Sequence, residues 1–225
     1  MNEIWQSGSY EHWVDPGDDD DGIEVATPLG ETGTGHLRFT NSIARYVTIQ
    51  GIPLGDEFFR ARFEHPVPGM HITEDTVEIQ YHSFFRSFPF RGERPGTILL
   101  NTAIPWSIES NGGAAWVTMN LEELQLLSLA HNGGLSNVVV MLPKPVGIVP
   151  VHLAGGVSQV TLFRPAGTQA RVSVKGGAYR LTLDASHFGA IGSQTRWESS
   201  GFNDEGNGYD IRIQGGASKV VIAAH

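Results

Sequence analysis

The chain contains no cysteine, which excludes disulfides, thiolate metal sites and cysteine nucleophiles. Charged residues fill only 17% of its 225 positions, too few for a coiled coil or a charge-rich disordered chain. No run of about eighteen apolar residues occurs, so no segment is long enough to cross a membrane as a helix. Residues 1–22 have neither the basic start nor the apolar stretch of a secretory signal, and a cytoplasmic location is the expectation that follows. Lysine and arginine are nowhere clustered densely enough to neutralise a row of phosphates, which argues against nucleic acid and against an anionic membrane surface. The 28 glycines do not recur every third residue, so the chain is not collagen-like. What remains is a globular chain that is 40% hydrophobic, enough for a sizeable core.

The net charge of −9 is unevenly spread. Residues 1–110 carry 17 acidic and 7 basic side chains, and residues 111–225 carry 7 and 8. The acids concentrate at the start, in Asp15 and the run Asp18–Asp21, bracketed by Pro16, Gly17 and Gly22. Mutual repulsion along that run resists compaction, so residues 1–22 read as an acidic flexible arm. Trp5 and Trp13 are unusual in a solvating tail and suggest a point where it docks. As a calcium loop the run fails, because an EF-hand ending in Asp21-Gly22 puts Gly17 at its first ligand position and Pro28 at its twelfth.

From residue 36 the pattern is that of strands. His36–Thr40, Arg45–Ile49, Phe58–Phe63 and Thr76–Tyr81 are short, rich in β-branched and aromatic residues, and mostly alternate apolar with polar. Prolines at 53, 66, 68, 89, 95 and 105 exclude long helices between them.

The second half carries an internal repeat. Gly-Gly pairs fall at 112–113, 133–134, 155–156, 176–177 and 215–216, at steps of 21, 22, 21 and 39 residues. The last step is one repeat plus an insertion, placed at residues 189–208. Counting from the first glycine of each pair, position −4 is Ile108, Leu129, Val151, Val172 and Ile211, and position −6 is Trp106, Leu127, Val149, Ala170 and Tyr209. Position +5 is Val117, Val138, Val160, Leu181 and Val220, and position +7 is Met119, Val140, Leu162, Leu183 and Ile222. All are apolar. Each copy therefore reads as strand, glycine corner, strand, with one face of each strand turned inward. The segment Leu121–Leu129 could form a short helix, but its alignment to the repeat makes a strand the expectation at its end.

Repeats of this length are stacking units that cannot bury a core alone. Two all-β architectures fit: a β-solenoid with one repeat per coil, or an antiparallel sandwich or barrel of repeated hairpins. The near-constant step favours the solenoid, because inserting a residue would break a stacked register. The expected organisation is an arm over residues 1–22, an irregular N-terminal β region over 23–97 and a repeat region over 98–225, the last two forming one body.

The segments Val149-Pro-Val-His-Leu-Ala-Gly-Gly-Val-Ser-Gln-Val-Thr-Leu-Phe-Arg-Pro165 and Tyr209-Asp-Ile-Arg-Ile-Gln-Gly-Gly-Ala-Ser-Lys-Val-Val-Ile222 resemble the Gly-Gly-x-Ser repeats of bacterial proteins similar to the putative-adhesin, YvlB-like families. The resemblance covers residues 98–225 and implies a β-solenoid. It supplies no catalytic residue.

No constellation points to catalysis. His65 and His71 are separated by two prolines, and His131 and His152 sit at positions −2 and −3, which direct them to opposite faces. The acids of the repeat region, Glu122, Glu123, Asp184, Glu198, Asp204, Glu205 and Asp210, share no position in adjacent copies, unlike the paired carboxylates of glycoside hydrolysis. No nucleophile elbow occurs, and the glycines at 30, 33 and 35 lack a P-loop lysine. No cofactor or metal is expected. Two surfaces stand out. Phe84, Phe85, Phe88 and Phe90 interleave with Arg86 and Arg91, a composition enriched at protein interfaces. The closing strand, with Lys219, Val221 and Ala223, should present a free edge through which copies associate. The expected role is non-catalytic, a scaffold or adhesin-like interaction module in a homo-oligomer or with a protein partner. The competing expectation is a carbohydrate-binding or carbohydrate-active protein using a groove along the solenoid.

Overall fold

A computed structural model of the chain describes residues 12–14, 22–64, 67–81 and 95–225. The described residues are all-β and hold no helix. In chain order the strands are β1 His12–Val14, β2 Ile23–Pro28, β3 Gly35–Ile52, β4 Glu57–Phe63, β5 Gly69–Ile72, β6 Thr76–Gln80, β7 Gly96–Asn101, β8 Pro105–Asn120 and β9 Gln125–Asn132. They continue as β10 Leu135–Met141, β11 Ile148–Ala154, β12 Val157–Arg164, β13 Gln169–Lys175, β14 Ala178–Leu183, β15 Ser186–Ile191, β16 Gln194–Glu198, β17 Gly208–Gln214 and β18 Ala217–Ala224.

The strands build two facing ladders. In one, the first half of β3 pairs in parallel with the first half of β8, followed by β9, β11, β17 and β13. In the other, the second halves of β3 and β8 are followed by β10, β12, β18 and β14, again in parallel. One strand from each ladder, joined at a glycine corner, makes a tier. Because β3 and β8 run through both ladders, the whole is one 18-stranded sheet wrapped barrel-like around a shared core. That core is a single cluster reaching from Leu37 to Ile222.

The apolar columns read from the sequence are the ones that meet inside. Val138, Val160, Val220 and Leu181 share a register, as do Leu129, Val151, Ile211 and Val172, and all eight are buried. The column at position −6 departs at one place. A register shift after Trp106 pairs that residue with Leu126, which is buried, and leaves Leu127 39% exposed. The bulge swaps the faces of two neighbouring leucines, a choice their shared hydrophobicity could not reveal. The strand in this stretch begins at Gln125.

The spatial order of the tiers differs from the chain order. β17 pairs with both β11 and β13, and β18 pairs with both β12 and β14. The last repeat is thus inserted between the fourth and sixth tiers rather than stacked on the end. Arg164 on β12 reaches Asp184 beyond β14, and Asp184 also accepts the amide of Ala224 at 3.2 Å, so three tiers are tied at one corner. This corrects the expected assembly edge. The strand carrying Lys219, Val221 and Ala223 is hydrogen-bonded to β12 on one side and β14 on the other and offers no free edge.

The chain between β14 and β17, which includes the insertion, covers one end of the stack. β15 pairs antiparallel with β14 and β16 antiparallel with β13, closing the end of both ladders. Phe188, Ile191 and Trp197 pack from this hairpin against the core. At the opposite end the parallel tiers give way to antiparallel pairs: β7, β4 and β2 extend one ladder, and β6, β5 and β1 the other. Within the expected arm, the backbone of His12–Val14 pairs with β5. Trp5, Asp15 and Asp18–Asp21 lie outside the described residues, as do His65 and the aromatic segment Phe84, Phe85, Arg86, Phe88, Phe90 and Arg91.

Candidate binding groove

The glycine corners stack into a shallow, widely open groove that runs across the strands, along the stacking direction. Its floor and walls come from Gly134, Gly156, Gly216 and Gly177, from Ser136, Ser158 and Ser218, and from Tyr179. The two glycines of each pair do different work. A Cβ on Gly155, at φ +102°, would lie 2.1 Å from the carbonyl oxygen of Gly133. One on Gly215, at φ +114°, would lie 2.3 Å from that of Gly155. The first glycine is therefore demanded by the close approach of successive tiers. The second glycine is not: a Cβ on Gly134, Gly156 or Gly216 meets nothing within 4 Å, and none of the three has a positive φ. What those glycines do is keep the groove open.

A column of residues runs beside the groove, next in sequence after its serines and Tyr179. Tyr46, Trp116, Asn137, Gln159, Lys219 and Arg180 all have φ between 50° and 55°. Each is skipped by the ladder, as Asn137 and Gln159 are between the paired Ser136–Ser158 and Val138–Val160. A left-handed residue inserted here lets the strand pass from one inward residue to the next with two residues between them, as in a bulge. Non-glycine residues rarely hold this conformation, which costs roughly 1–2 kcal/mol each. The rings of Tyr46 and Trp116 stack with centroids 5.2 Å apart and planes 14° from parallel. Trp116, second in the column, is 48% exposed, and Tyr179, which precedes its last member, is 51% exposed, with the Arg180 guanidinium 5.2 Å from its ring. On the other side, just before the first glycine of each pair, Asn111, Asn132, Ala154, Gln214 and Lys175 share a register, and Asn132 donates to Asn111 at 2.9 Å.

The backbone leaves the groove no strand to extend. Leu135 donates to Gly156, Val157 to Gly216 and Ala217 to Gly177, all tier to tier. What the groove offers is a repeating set of hydroxyls and amides, bounded by exposed aromatic rings.

Elsewhere the titratable groups serve packing. His131 faces inward and is buried, its Nε2 3.2 Å from the Gly134 carbonyl, while His152 faces outward and is half-buried. Burial holds the His131 pKa below its ordinary value, against the opposing pull of the Gly134 and Gly133 carbonyls. Ser110 and His131 are among the residues around an apolar cavity of about 30 Å³. Asp210 is buried between Arg171, at 3.3 Å, and Arg212, at 2.6 Å. Burial opposes its ionisation, and the two guanidiniums outweigh it, so its carboxyl is held below the usual range. Among the described residues no group of three or more His, Asp or Glu side chains could hold a metal ion.

No protein-family model matches the chain, and no curated protein does. A solved structure from Clostridium sporogenes, described as a "putative cell adhesion protein", matches 91% of this chain and 100% of its own at a TM-score of 0.69 and 16% identity. At that identity the likeness speaks for the fold alone.

Proposed function

We propose that the described body is a β-solenoid acting as a non-catalytic, adhesin-like binding module that holds an elongated partner in the glycine-corner groove. In-register parallel pairing from β3 through β14 supports the solenoid, and the description of the Clostridium sporogenes neighbour as a cell adhesion protein is in keeping with the role. The observation that carries the reading is the second glycine. Gly134, Gly156 and Gly216 occupy open space in an ordinary backbone conformation, where most side chains would be accommodated. Any of those side chains would fill the groove. Gly156→Gln tests this. The variant should melt with the wild-type protein, yet lose whatever polymer the wild type captures on combined glycan and peptide arrays. Capture unchanged by Gly156→Gln would remove the groove from the binding reaction.

A further inference from the structure

The five groove-forming segments, residues 111–116, 132–137, 154–159, 175–180 and 214–219, contain no aspartate or glutamate, in a chain whose net charge is −9. They contain three cations, Lys175, Arg180 and Lys219, all at the end of the groove nearest the capping hairpin. Tyr179 and Ser218 are register partners, as are Leu181 and Val220, so Arg180 and Lys219 sit side by side on adjacent strands. Like charges so placed repel. None of the three cations is in an ion pair among the described residues, whereas Arg60, Arg164, Arg171, Arg196 and Arg212 each have a carboxylate partner. Arg62 and Lys144 also lack such a partner among the described residues, but only in these segments do three cations gather with no acid among them.

We infer that the ligand of the groove is an acidic polysaccharide, lying along the stacking direction with its anionic groups at Lys175, Arg180 and Lys219. The inference rests on the groove reading above and adds the chemistry of the occupant. Hydroxyls of Ser136, Ser158 and Ser218 recur on three successive tiers, at roughly 4.8 Å, with the amides of Asn132 and Gln214 on the first and third of them, and suit a chain bearing hydroxyl groups on every unit. From the Trp116 tier to the Arg180 tier is four such steps, roughly 19 Å, room for a short run of sugars with an exposed ring at each end to stack against. An acidic peptide is disfavoured because it would bind by adding a strand, and the backbone groups it needs are engaged between tiers. Nucleic acid is disfavoured because three cations at one end do not follow a phosphate backbone along the groove.

The test measures binding of the full chain to polygalacturonate, neutral dextran, poly-glutamate and single-stranded DNA. The variants are Gly156→Gln, which blocks the groove, and Lys175→Gln combined with Lys219→Gln, which removes charge without filling it. Melting temperatures confirm that all are folded, and Arg180→Gln stands in if the double variant is not. The inference expects polygalacturonate to bind at least tenfold more tightly than the other three. Binding should weaken at least tenfold in the charge variant, weaken with added salt, and be lost in Gly156→Gln. Dextran binding equal to polygalacturonate, lost in Gly156→Gln but untouched in the charge variant, would overturn the acidic assignment and leave the groove reading standing. Preference for poly-glutamate or DNA would overturn the polysaccharide. Polygalacturonate binding indifferent to Gly156→Gln, or no binding of any polymer, would overturn both.

Discussion

Tyr209 donates its buried hydroxyl to the Pro143 carbonyl at 2.6 Å, bridging 66 residues of sequence. The bond fastens the last repeat to the corner that leads into the fourth tier. Burial pushes the phenol above its ordinary range, so it remains a donor at any pH the fold survives. Tyr209→Phe keeps the ring and orphans the carbonyl, and should cost about 1 kcal/mol. Tyr209→Ala adds a cavity and should cost about 3–5 kcal/mol. Denaturant unfolding of the two variants measures both, and a Tyr209→Phe variant as stable as the wild type would show that the hydroxyl contributes nothing.

Neighbouring glycines should answer the same substitution in opposite ways. Gly155→Ala drives a methyl group to 2.1 Å from a backbone oxygen at a φ that alanine avoids, and neither neighbour is a flexible side chain that can yield. Its cost should reach about 3 kcal/mol. Gly156→Ala enters open space and should lie within about 0.5 kcal/mol of neutral, or stabilise by restricting the unfolded chain. Thermal melts of the pair decide this.

Gln159 is exposed, yet it should be intolerant of β-branching. Its φ of 54° is a region from which valine is excluded more strongly than unbranched residues. Gln159→Val should destabilise by about 1–2 kcal/mol, and Gln159→Asn should not. An ordinary surface strand position would show the reverse order, since valine is the better strand former.

Acidification should weaken the fold before the carboxylates titrate. Because burial lowers the His131 pKa from 6.5, the unfolded chain takes up this proton more readily than the folded one. The stability conferred by His131 is complete above pH 6.5 and is lost as pH falls below it, through the folded value. His131→Leu should flatten the dependence of unfolding free energy on pH in this interval. A wild-type profile already flat from pH 7 to pH 5 would contradict the assignment.

Removing residues 208–225 should abolish cooperative folding. In a stack that follows chain order, loss of a terminal repeat leaves the others intact. Here the deletion removes an interior tier, leaving β11, β12, β13 and β14 each without one partner strand. Near-ultraviolet circular dichroism and a melt of residues 1–207 test this, and a sharp transition near the wild-type temperature would mean that the fourth and sixth tiers close on each other.

The inward columns were legible because alternation of apolar and polar residues is a local property of a strand, and Val138, Val160 and Val220 declare it without help from their neighbours. The groove was half legible. The recurring Gly-Gly-x-Ser marks its floor and one wall, but not which glycine is obligatory, since that depends on how closely the next tier approaches. The left-handed column from Tyr46 to Arg180 gave no signal at all. Its members share no chemistry, and only the need to fit an extra residue between two inward ones puts them in that conformation. The face of Leu127 was likewise invisible, because Leu126 fills the interior equally well.

By itself, then, the sequence determined that the chain is all-β, where its corners fall and which side chains turn inward. The order of the tiers was decided by the tertiary structure. Backbone hydrogen bonds between parallel strands do not read side chains, and the tiers bear nearly the same apolar columns, so pairing alone ranks no order above another. The order comes from contacts distant in sequence. Tyr209 reaches the Pro143 carbonyl, Asp184 takes both Arg164 and the Ala224 amide, and Asp210 accepts from Arg171. The contacts of Tyr209, Ala224 and Asp210 place the last repeat between the two that precede it, and the hairpin carrying Phe188 and Trp197 then closes the end that the last repeat does not occupy.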